Sequence, residues 1–259
     1  MKAVFAGVGE AFDERLPNTS VYAEANVSGR KLTVLLDCGF TAAAAFFSSA
    51  AIPVVDRQDG PDLLWISHFH GDHFFGLPVL LARLMDGGRG RDLALAGQPG
   101  LAAKVEAVLD LAYPNLRAKL PFDLAYYELE PGRGLLYEGL SLRGAFTSHG
   151  SPCLGLRLDD GAKSLFYSGD GGSTAETLAL ARGCDLVIQE GYGLGSSVPG
   201  HGTVEEATAF AREAGAASLA VVHVQREVRR KRFGEIRAIL AAAGIPRAFL
   251  PEPGAVIVV

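Results

Sequence analysis

No stretch of this 259-residue chain is both long and apolar enough to span a bilayer. The nearest candidate, Ala42 to Val55, is short, Ala-rich and broken by Ser48, Ser49 and Pro53, whereas a spanning helix needs about 20 apolar residues. A basic-then-apolar leader is missing too, because Gly7, Gly9, Glu10 and Asp13 interrupt the N-terminus. Cysteine is scarce. Three residues, an odd number at wide spacing, argue against a disulfide framework and for a reducing cytoplasm. Cys38 and Cys184 sit in apolar strand contexts, Cys153 falls close to His149, and all three are expected to be core thiols. Excess positive charge is also lacking: 24 Lys and Arg against 29 Asp and Glu give a net charge of −5. That balance does not fit a protein coated for a long nucleic acid. Repeats, linkers and low-complexity tracts are not found, and a hydrophobic content of 49% excludes disorder. The chain therefore reads as one α/β domain over residues 1–259, with an ample core.

Against this background one segment stands out. Ser67-His68-Phe69-His70-Gly71-Asp72-His73 puts three imidazoles and a carboxylate at the end of the apolar run Leu63-Leu64-Trp65-Ile66. Few needs other than metal binding place so many costly polar groups at the mouth of a buried strand. Residues two apart in extended chain share a face, so His68 and His70 can grip one ion. Gly71 permits a sharp turn, after which Asp72 and His73 are free to face a second. This is the pattern of a two-metal site.

Of six histidines, the other three each lie at a strand end or in a glycine-flanked loop. His149 follows Phe146-Thr147-Ser148, His223 ends Leu219-Ala220-Val221-Val222, and His201 sits in Gly200-His201-Gly202-Thr203. Asp170, before Gly171-Gly172, is another carboxylate where a strand meets a turn. Taken singly, each has a plainer reading: a hydrogen-bonded structural histidine, a turn aspartate, or, for Glu190, a solvated strand-end carboxylate. Taken together, they fit one site built on strand ends.

In order along the chain these residues resemble the metallo-β-lactamase superfamily, with a closer likeness to its ribonuclease Z and phosphodiesterase branch. The likeness covers Phe5-Ala6-Gly7-Val8-Gly9, Leu35-Leu36-Asp37-Cys38-Gly39, the His/Asp cluster running on to Gly76-Leu77-Pro78, His149-Gly150-Ser151-Pro152 and Ser168-Gly169-Asp170. It continues through Val187-Ile188-Gln189-Glu190, His201-Gly202-Thr203 with Glu206-Ala207, and Val222-His223. The first cluster marks the superfamily; Gly-Leu-Pro with Glu190, His201 and His223 narrows the branch. The resemblance implies a four-layer αββα metallo-β-lactamase sandwich. It implies that His68, His70 and His149 hold one metal, that Asp72, His73 and His223 hold another, and that Asp170 bridges them. Zinc suits such a mixed N/O set, and Mn or Fe can take the same ligands. Two cations about 3.5–4 Å apart lower the pKa of a shared water to roughly 7, giving a hydroxide nucleophile. Asp72, His201 and Glu190 are the candidate catalytic residues, with His201 as proton donor to the leaving group and Glu190 orienting its ring.

Relatives that trim tRNA carry an inserted arm between the third ligand histidine and the bridging aspartate. Here one tight hairpin, Leu154–Leu158 and Ser164–Ser168 around Asp159-Asp160-Gly161, separates His149 from Asp170 and leaves no room for an arm. The leading expectation is a dinuclear zinc phosphodiesterase resembling ribonuclease Z without its long arm, acting on a small molecule or an RNA 3′ end. The rivals are a true tRNA 3′-processing endonuclease that grips its substrate otherwise, as across a homodimer, and a hydrolase of esters, lactones or thioesters. A metal-binding regulatory protein with a degenerate centre fits less well, because the ligand set is complete. Arg226, Arg229, Arg230, Lys231, Arg232 and Arg237 crowd the segment after His223. Such a run is usually a solvated face, but Arg226 and Arg229 are near enough to His223 to be candidates for a substrate phosphate.

Strand-like runs fall at Lys2–Val8, Thr19–Val27, Leu32–Cys38, Leu63–Ser67, Leu93–Ala96, Leu124–Leu129, Ser141–Phe146, Leu154–Leu158, Ser164–Ser168, Leu186–Glu190, Leu219–His223 and Ala255–Val259. Helical patterns fall at Leu77–Met85, Leu101–Leu111, Thr174–Arg182, Val204–Ala214 and Arg229–Ala243. Thr203 with Glu206 spells a capping box. Gly7-Val8-Gly9 is no dinucleotide fingerprint, since no helix follows it. Asp86-Gly87-Gly88-Arg89-Gly90 reads as the most flexible connection, and Tyr113, Phe122, Tyr126 and Tyr127 as core or as a cover for the cleft.

Overall fold

The computed structural model describes residues 1–259. Six strands come first: β1 (Lys2–Gly7), β2 (Ser20–Val27), β3 (Arg30–Leu36), β4 (Leu63–Ile66), β5 (Leu93–Gly97) and β6 (Leu124–Glu128). Seven follow in a second sheet: β7 (Gly134–Tyr137), β8 (Leu140–Phe146), β9 (Leu154–Asp159), β10 (Ser164–Tyr167), β11 (Leu186–Glu190), β12 (Ser218–Val222) and β13 (Arg247–Phe249). The last strand, β14 (Val256–Val258), returns to pair antiparallel with β1. Each sheet has seven strands, in the orders β14-β1-β2-β3-β4-β5-β6 and β13-β12-β11-β10-β9-β8-β7.

The period of two along each strand decides the layering. In β1, Ala3 and Phe5 join the core between the sheets, while Val4 and Ala6 face the helices outside the first sheet. In β4 the split is Leu63 and Trp65 against Leu64 and Ile66. A strand apolar on both faces can only lie between two other layers. The first outer layer includes Ala42–Ser48, Leu77–Asp86 and Leu101–Ala112; the second includes Val204–Glu213 and Phe233–Ala241, packed on β11 and β12. The four-layer αββα sandwich is what this pattern produces.

Within each sheet the run β3-β4-β5-β6 or β10-β11-β12-β13 is parallel. Parallel strands deliver their C-terminal ends to one edge, where ligand sites are built. Asp37 follows β3, the His68 cluster follows β4, Asp170 follows β10, Glu190 ends β11 and His223 follows β12. The fold thus gathers distant carboxylates and imidazoles, bringing Asp72 against His223 across 151 positions.

Several local expectations need correction. The helices Ala42–Ser48 and Val54–Asp59 carry no strong helical signal in sequence; the first forms because Ala42, Ala43 and Phe46 are buried against the first sheet. The edge strands β7 and β13 are half exposed, so their period is weak. The helix expected over Arg229–Ala243 is two, Arg226–Lys231 and Phe233–Ala241, parted at Arg232, whose backbone (φ −117°, ψ 22°) leaves the helical range. The loop at Asp86–Gly90 is pinned, not free. Arg89 is buried and donates to the carbonyls of Asp59, Pro61, Arg91 and Asp92, with its guanidinium over the Phe122 ring. Phe122 is core, Tyr126 bonds Glu106, Tyr127 packs on Tyr137, and none of them lines the cleft over the strand ends. All three cysteines are free and buried. The capping box at Thr203 and Glu206 forms in both directions, at 3.1 and 2.8 Å. No helix is long and apolar enough to cross a membrane.

Candidate metal centre and cleft

Three groups of possible ligands lie together at the strand ends. His68, His70, His149 and Asp170 form one, Asp72, His73, Asp170 and His223 a second, and Asp170, Glu190, His201 and His223 a third. The first two match the ligand sets expected from the sequence, joined through Asp170. Nδ1 of His70 and Nε2 of His149 are 3.3 Å apart, and Nε2 of His68 is 3.8 Å from Oδ2 of Asp170. In the second set Nε2 of His73 is 3.4 Å from Nε2 of His223, 3.3 Å from Oδ2 of Asp72 and 3.0 Å from Oδ1 of Asp170.

These separations suit cations. Two ligands bound tetrahedrally at about 2.0–2.1 Å from zinc stand about 3.4 Å from each other. Both sets hold their donors near that spacing before any ion is considered. Nε2 of His68 and Oδ1 of Asp170 are buried with no directed hydrogen-bond partner, a state costing about 1–3 kcal/mol for each polar group left so. A divalent cation beside them would remove that cost. The His and Asp clusters fit divalent-metal binding.

Two of the candidate ligand rings are held from behind. Nδ1 of His73 donates to Oδ2 of Asp37 at 2.7 Å, and Nδ1 of His149 to the Gly200 carbonyl at 2.7 Å. Such partners fix the tautomer and leave Nε2 free for a metal. Asp37 is fully buried and also accepts from the Ser67 amide, the Ser67 hydroxyl and the Tyr167 hydroxyl, each at 2.7 Å. Asp37 and His223 both take left-handed backbone, with φ of 60° and 57°. Side chains with a Cβ resist that region, and such strain gathers at functional sites. The His223 amide is fixed to the Val8 carbonyl at 3.0 Å. Close packing demands glycine nearby: a Cβ on Gly39 would lie 1.7 Å from the Asp72 carbonyl oxygen.

Within the polypeptide alone the charges respond to each other. Burial would push the His73 imidazolium down, but Asp170 and Asp37 outweigh it and hold its pKa well above the ordinary value. The same contest, with Asp170, Asp72 and Glu190 opposing burial, raises His223 to about 10. Asp72 and Asp170, despite burial, are pushed below the usual carboxylate range by His223 and His73. His68 and His70 go the other way, lowered first by burial and then by neighbouring imidazoles.

His201 and Glu190 meet beside the centre. Oε1 of Glu190 pairs with Nδ1 of His201, and Oε2 accepts from the Gly171 amide. That hydrogen bond raises the His201 pKa against the effect of partial burial. Tyr192 stacks on His201, ring centroids 4.6 Å apart and planes 26° apart. Above the cluster opens a cavity of about 330 Å³, with His70, Asp72, Asp170, His201 and His223 at its floor. Its walls include Glu10, Phe12, Phe40 and Tyr192.

The two arginine candidates part company. Arg226 stands at the cleft rim, its Nη1 on Oε1 of Glu10 at 2.8 Å. Arg229 is buried and donates to the Pro251 carbonyl at 2.6 Å and to Glu252 at 2.9 Å. Arg226 and Arg229, three positions apart on one short helix, are thus held by different partners, Glu10 at the cleft for the first and the Pro251–Glu252 segment for the second. Reading the sequence for site residues also missed Asp37. In sequence it is a single carboxylate after the run Leu35-Leu36, with no histidine or second carboxylate beside it to mark it out. No sequence signal placed Phe12, Phe40 or Tyr192 at the cleft.

Comparison with known proteins accords with this geometry. Residues 33–224 match a family model described as a beta-lactamase superfamily domain. Ribonuclease Z of Staphylococcus saprophyticus is 36% identical over 99 residues, 38% of this chain and 31% of that protein. Ribonuclease Z of Listeria innocua is 33% identical over 133 residues, 51% of this chain and 40% of that protein. The matched stretches therefore span less than half the length of these curated relatives. Among solved structures, the metallo-beta-lactamase fold protein YhfI from Bacillus subtilis superposes with a TM-score of 0.76 at 20% identity, covering 99% of this chain and 98% of that one. The short form of human tRNase Z gives 0.76 at 21% identity, covering 100% and 99%. A diphosphatase of the PhnP family gives 0.70 at 16% identity, covering 100% and 97%.

Proposed function

Because this chain belongs to the beta-lactamase superfamily, we propose that it is a metal-dependent hydrolase of phosphodiesters, using two divalent cations, zinc by preference. The observation that carries the reading is the pair of ligand sets sharing Asp170, each with donors at single-ion spacing. His68, His70, His149 and Asp170 would hold one cation, and Asp72, His73, His223 and Asp170 the other. Bound there, the cations would supply an acidified water and offset charge on the phosphoryl oxygens.

The polypeptide supplies the remaining work. Nδ1 of His201 is committed to Glu190, so a proton destined for the leaving oxygen has to sit on Nε2. Glu190 keeps that ring charged and oriented, acting through His201 as a positioning residue. Asp72, on the cleft floor, stays ionised and acts as ligand and charge partner at the reacting centre. Tyr192 covers one face of the His201 ring and limits water there. With three free thiols, the reading places the protein in a reducing cytoplasm.

Metal-loaded protein should hydrolyse bis-p-nitrophenyl phosphate and carry about two metal ions per chain by elemental analysis. Turnover of a p-nitrophenyl carboxylic ester alone would refute the phosphodiester reading. The likeness to ribonuclease Z supports a second reading, tRNA 3′ processing. The short hairpin between His149 and Asp170 leaves no place for the usual arm and weighs against it. Cleavage of a 3′-extended tRNA transcript at its discriminator base would favour that reading.

A further inference from the structure

The upper half of the cleft is aromatic, and it is built to stay open. Phe12 and Phe40 both line it, yet they are 72% and 56% exposed. Large apolar rings left in water at the mouth of a polar site mark a binding surface.

Neither ring rides on a loose loop. The Phe12 amide donates to Oε2 of Glu10 at 2.7 Å, and Oδ1 of Asp13 accepts from the Arg15 and Leu16 amides at 2.9 and 3.1 Å. Arg226 holds the other Glu10 oxygen and lies 5.9 Å over the Phe12 ring. On the opposite wall, Phe40 makes an edge contact with Phe75 at 5.9 Å and lies against Gly71, where a Cβ would come within 2.2 Å of its ring tip. Asn18 ties the two walls together. Its Oδ1 accepts from the Thr41 amide and hydroxyl at 3.0 and 2.9 Å, its backbone amide donates to Thr41 Oγ1 at 2.8 Å, and its side-chain amide donates to the Glu10 carbonyl at 3.3 Å. The loop bearing Phe12 and the turn bearing Phe40 are thus one rigid frame.

The rim, by contrast, is poor in free positive charge. Arg226 is paired with Glu10, Arg230 and Lys231 with Glu227, and Arg232 with Glu235. A long polyanion would find little to neutralise it, whereas a flat ring finds two walls on which to stack. Resting on the phosphodiester reading above, we infer that Phe12 and Phe40 form a clamp for a flat ring carried on one ester arm of a small phosphodiester, an aryl or nucleoside group. These two side chains are the specificity determinants of the site.

The test uses phosphate monoesters as competitive inhibitors of bis-p-nitrophenyl phosphate hydrolysis by the metal-loaded chain, with calorimetric binding as a second readout. Phenyl phosphate or thymidine 5′-monophosphate should bind roughly tenfold or more tightly than methyl phosphate, as stacking on an aromatic wall provides. A gain for both assigns aryl recognition, and a gain for thymidine 5′-monophosphate alone assigns nucleoside recognition; either supports the clamp. Phe12→Ala and Phe40→Ala should each shrink that ratio several-fold. Phe12→Tyr, which keeps a ring, and Leu111→Ala, an exposed apolar residue outside the cleft, should preserve it. Hydrolysis with equal affinity for ring-bearing and methyl esters, or an undiminished ratio in the Phe12→Ala, Phe40→Ala double variant, overturns the clamp alone. No hydrolysis at all overturns the phosphodiester reading and the clamp with it.

Discussion

Asp37 accepts the Nδ1 proton of His73 at 2.7 Å, Asp37 standing just past the end of β3 and His73 in the short helix Gly71–Phe74 that follows the neighbouring strand β4. The pairing leaves only Nε2 of His73 to face the centre. Asp37→Asn keeps the shape of the side chain but can turn an amide toward the ring and lose the anion. Metal affinity should fall about 10- to 100-fold, the usual cost of removing such a partner. Isothermal titration with zinc would measure it; unchanged affinity would show that His73 needs no support.

Asp37 also shows where legibility in the sequence ended. Among the candidate ligands, His68, His70, Asp72 and His73 were readable from their density and His149, Asp170 and His223 through the family resemblance, and the structure gathers all seven. β1 and β4 were readable as buried strands because both of their faces are apolar. Asp37 sits alone in a strand-end context, and a single buried carboxylate is indistinguishable from a turn residue until Ser67, Tyr167 and His73 converge on it. Arg229 is the converse case. Nearness to His223 in sequence says nothing about which helix face is docked on Pro251.

Glu190 and His201 predict a pH signature. The Glu190 hydrogen bond raises the His201 pKa, so the protonated form persists to higher pH than in a free imidazole. A rate that needs this proton is full on the acid side and is lost as pH rises through the raised value. Glu190→Gln removes the anion, lowers that pKa, and should move the alkaline limb of kcat to lower pH. His201→Ala should reduce kcat about 10²- to 10⁴-fold while metal content holds. A limb that stays in place in Glu190→Gln would mean that another group supplies the proton.

Metal uptake should release protons. His73 lies well above its ordinary pKa and His223 at about 10, so both rings are charged at neutral pH in the polypeptide alone. A ring must lose a proton to become a ligand. Affinity should therefore rise from pH 6 toward pH 9, and the binding enthalpy should vary with buffer ionisation enthalpy, reporting net proton release. Affinity that stays level over this range would mean that the His73 and His223 rings are neutral before metal arrives.

Arg229 and Arg226 should separate stability from binding. Arg229→Ala removes a buried, hydrogen-bonded guanidinium and should cost roughly 2–3 kcal/mol, seen as a Tm lowered by several degrees, with KM near wild type. Arg226→Ala frees Glu10 at the cleft wall, so its effect should appear as a higher KM for an anionic substrate and a weak change in Tm. Equal effects of both on KM would restore Arg229 to the binding surface.

Gly39 and Gly71 offer the sharpest contrast, because their missing side chains are blocked by different things. A Cβ on Gly39 would lie 1.7 Å from a backbone oxygen of Asp72. That oxygen belongs to the ligand turn and cannot retreat without moving Asp72 and His73, so Gly39→Ala should destabilise the chain and strip metal together. A Cβ on Gly71 would instead meet the tip of the Phe40 ring at 2.2 Å. Phe40 is over half exposed and can swing outward, and alanine suits a helix N-terminus better than glycine. Gly71→Ala should therefore keep metal content and lose little Tm while altering the cleft mouth. Thermal melts with elemental analysis on both variants would decide it. Equal metal loss would mean that the turn at Gly71 is held by its backbone conformation and that Phe40 is incidental to it.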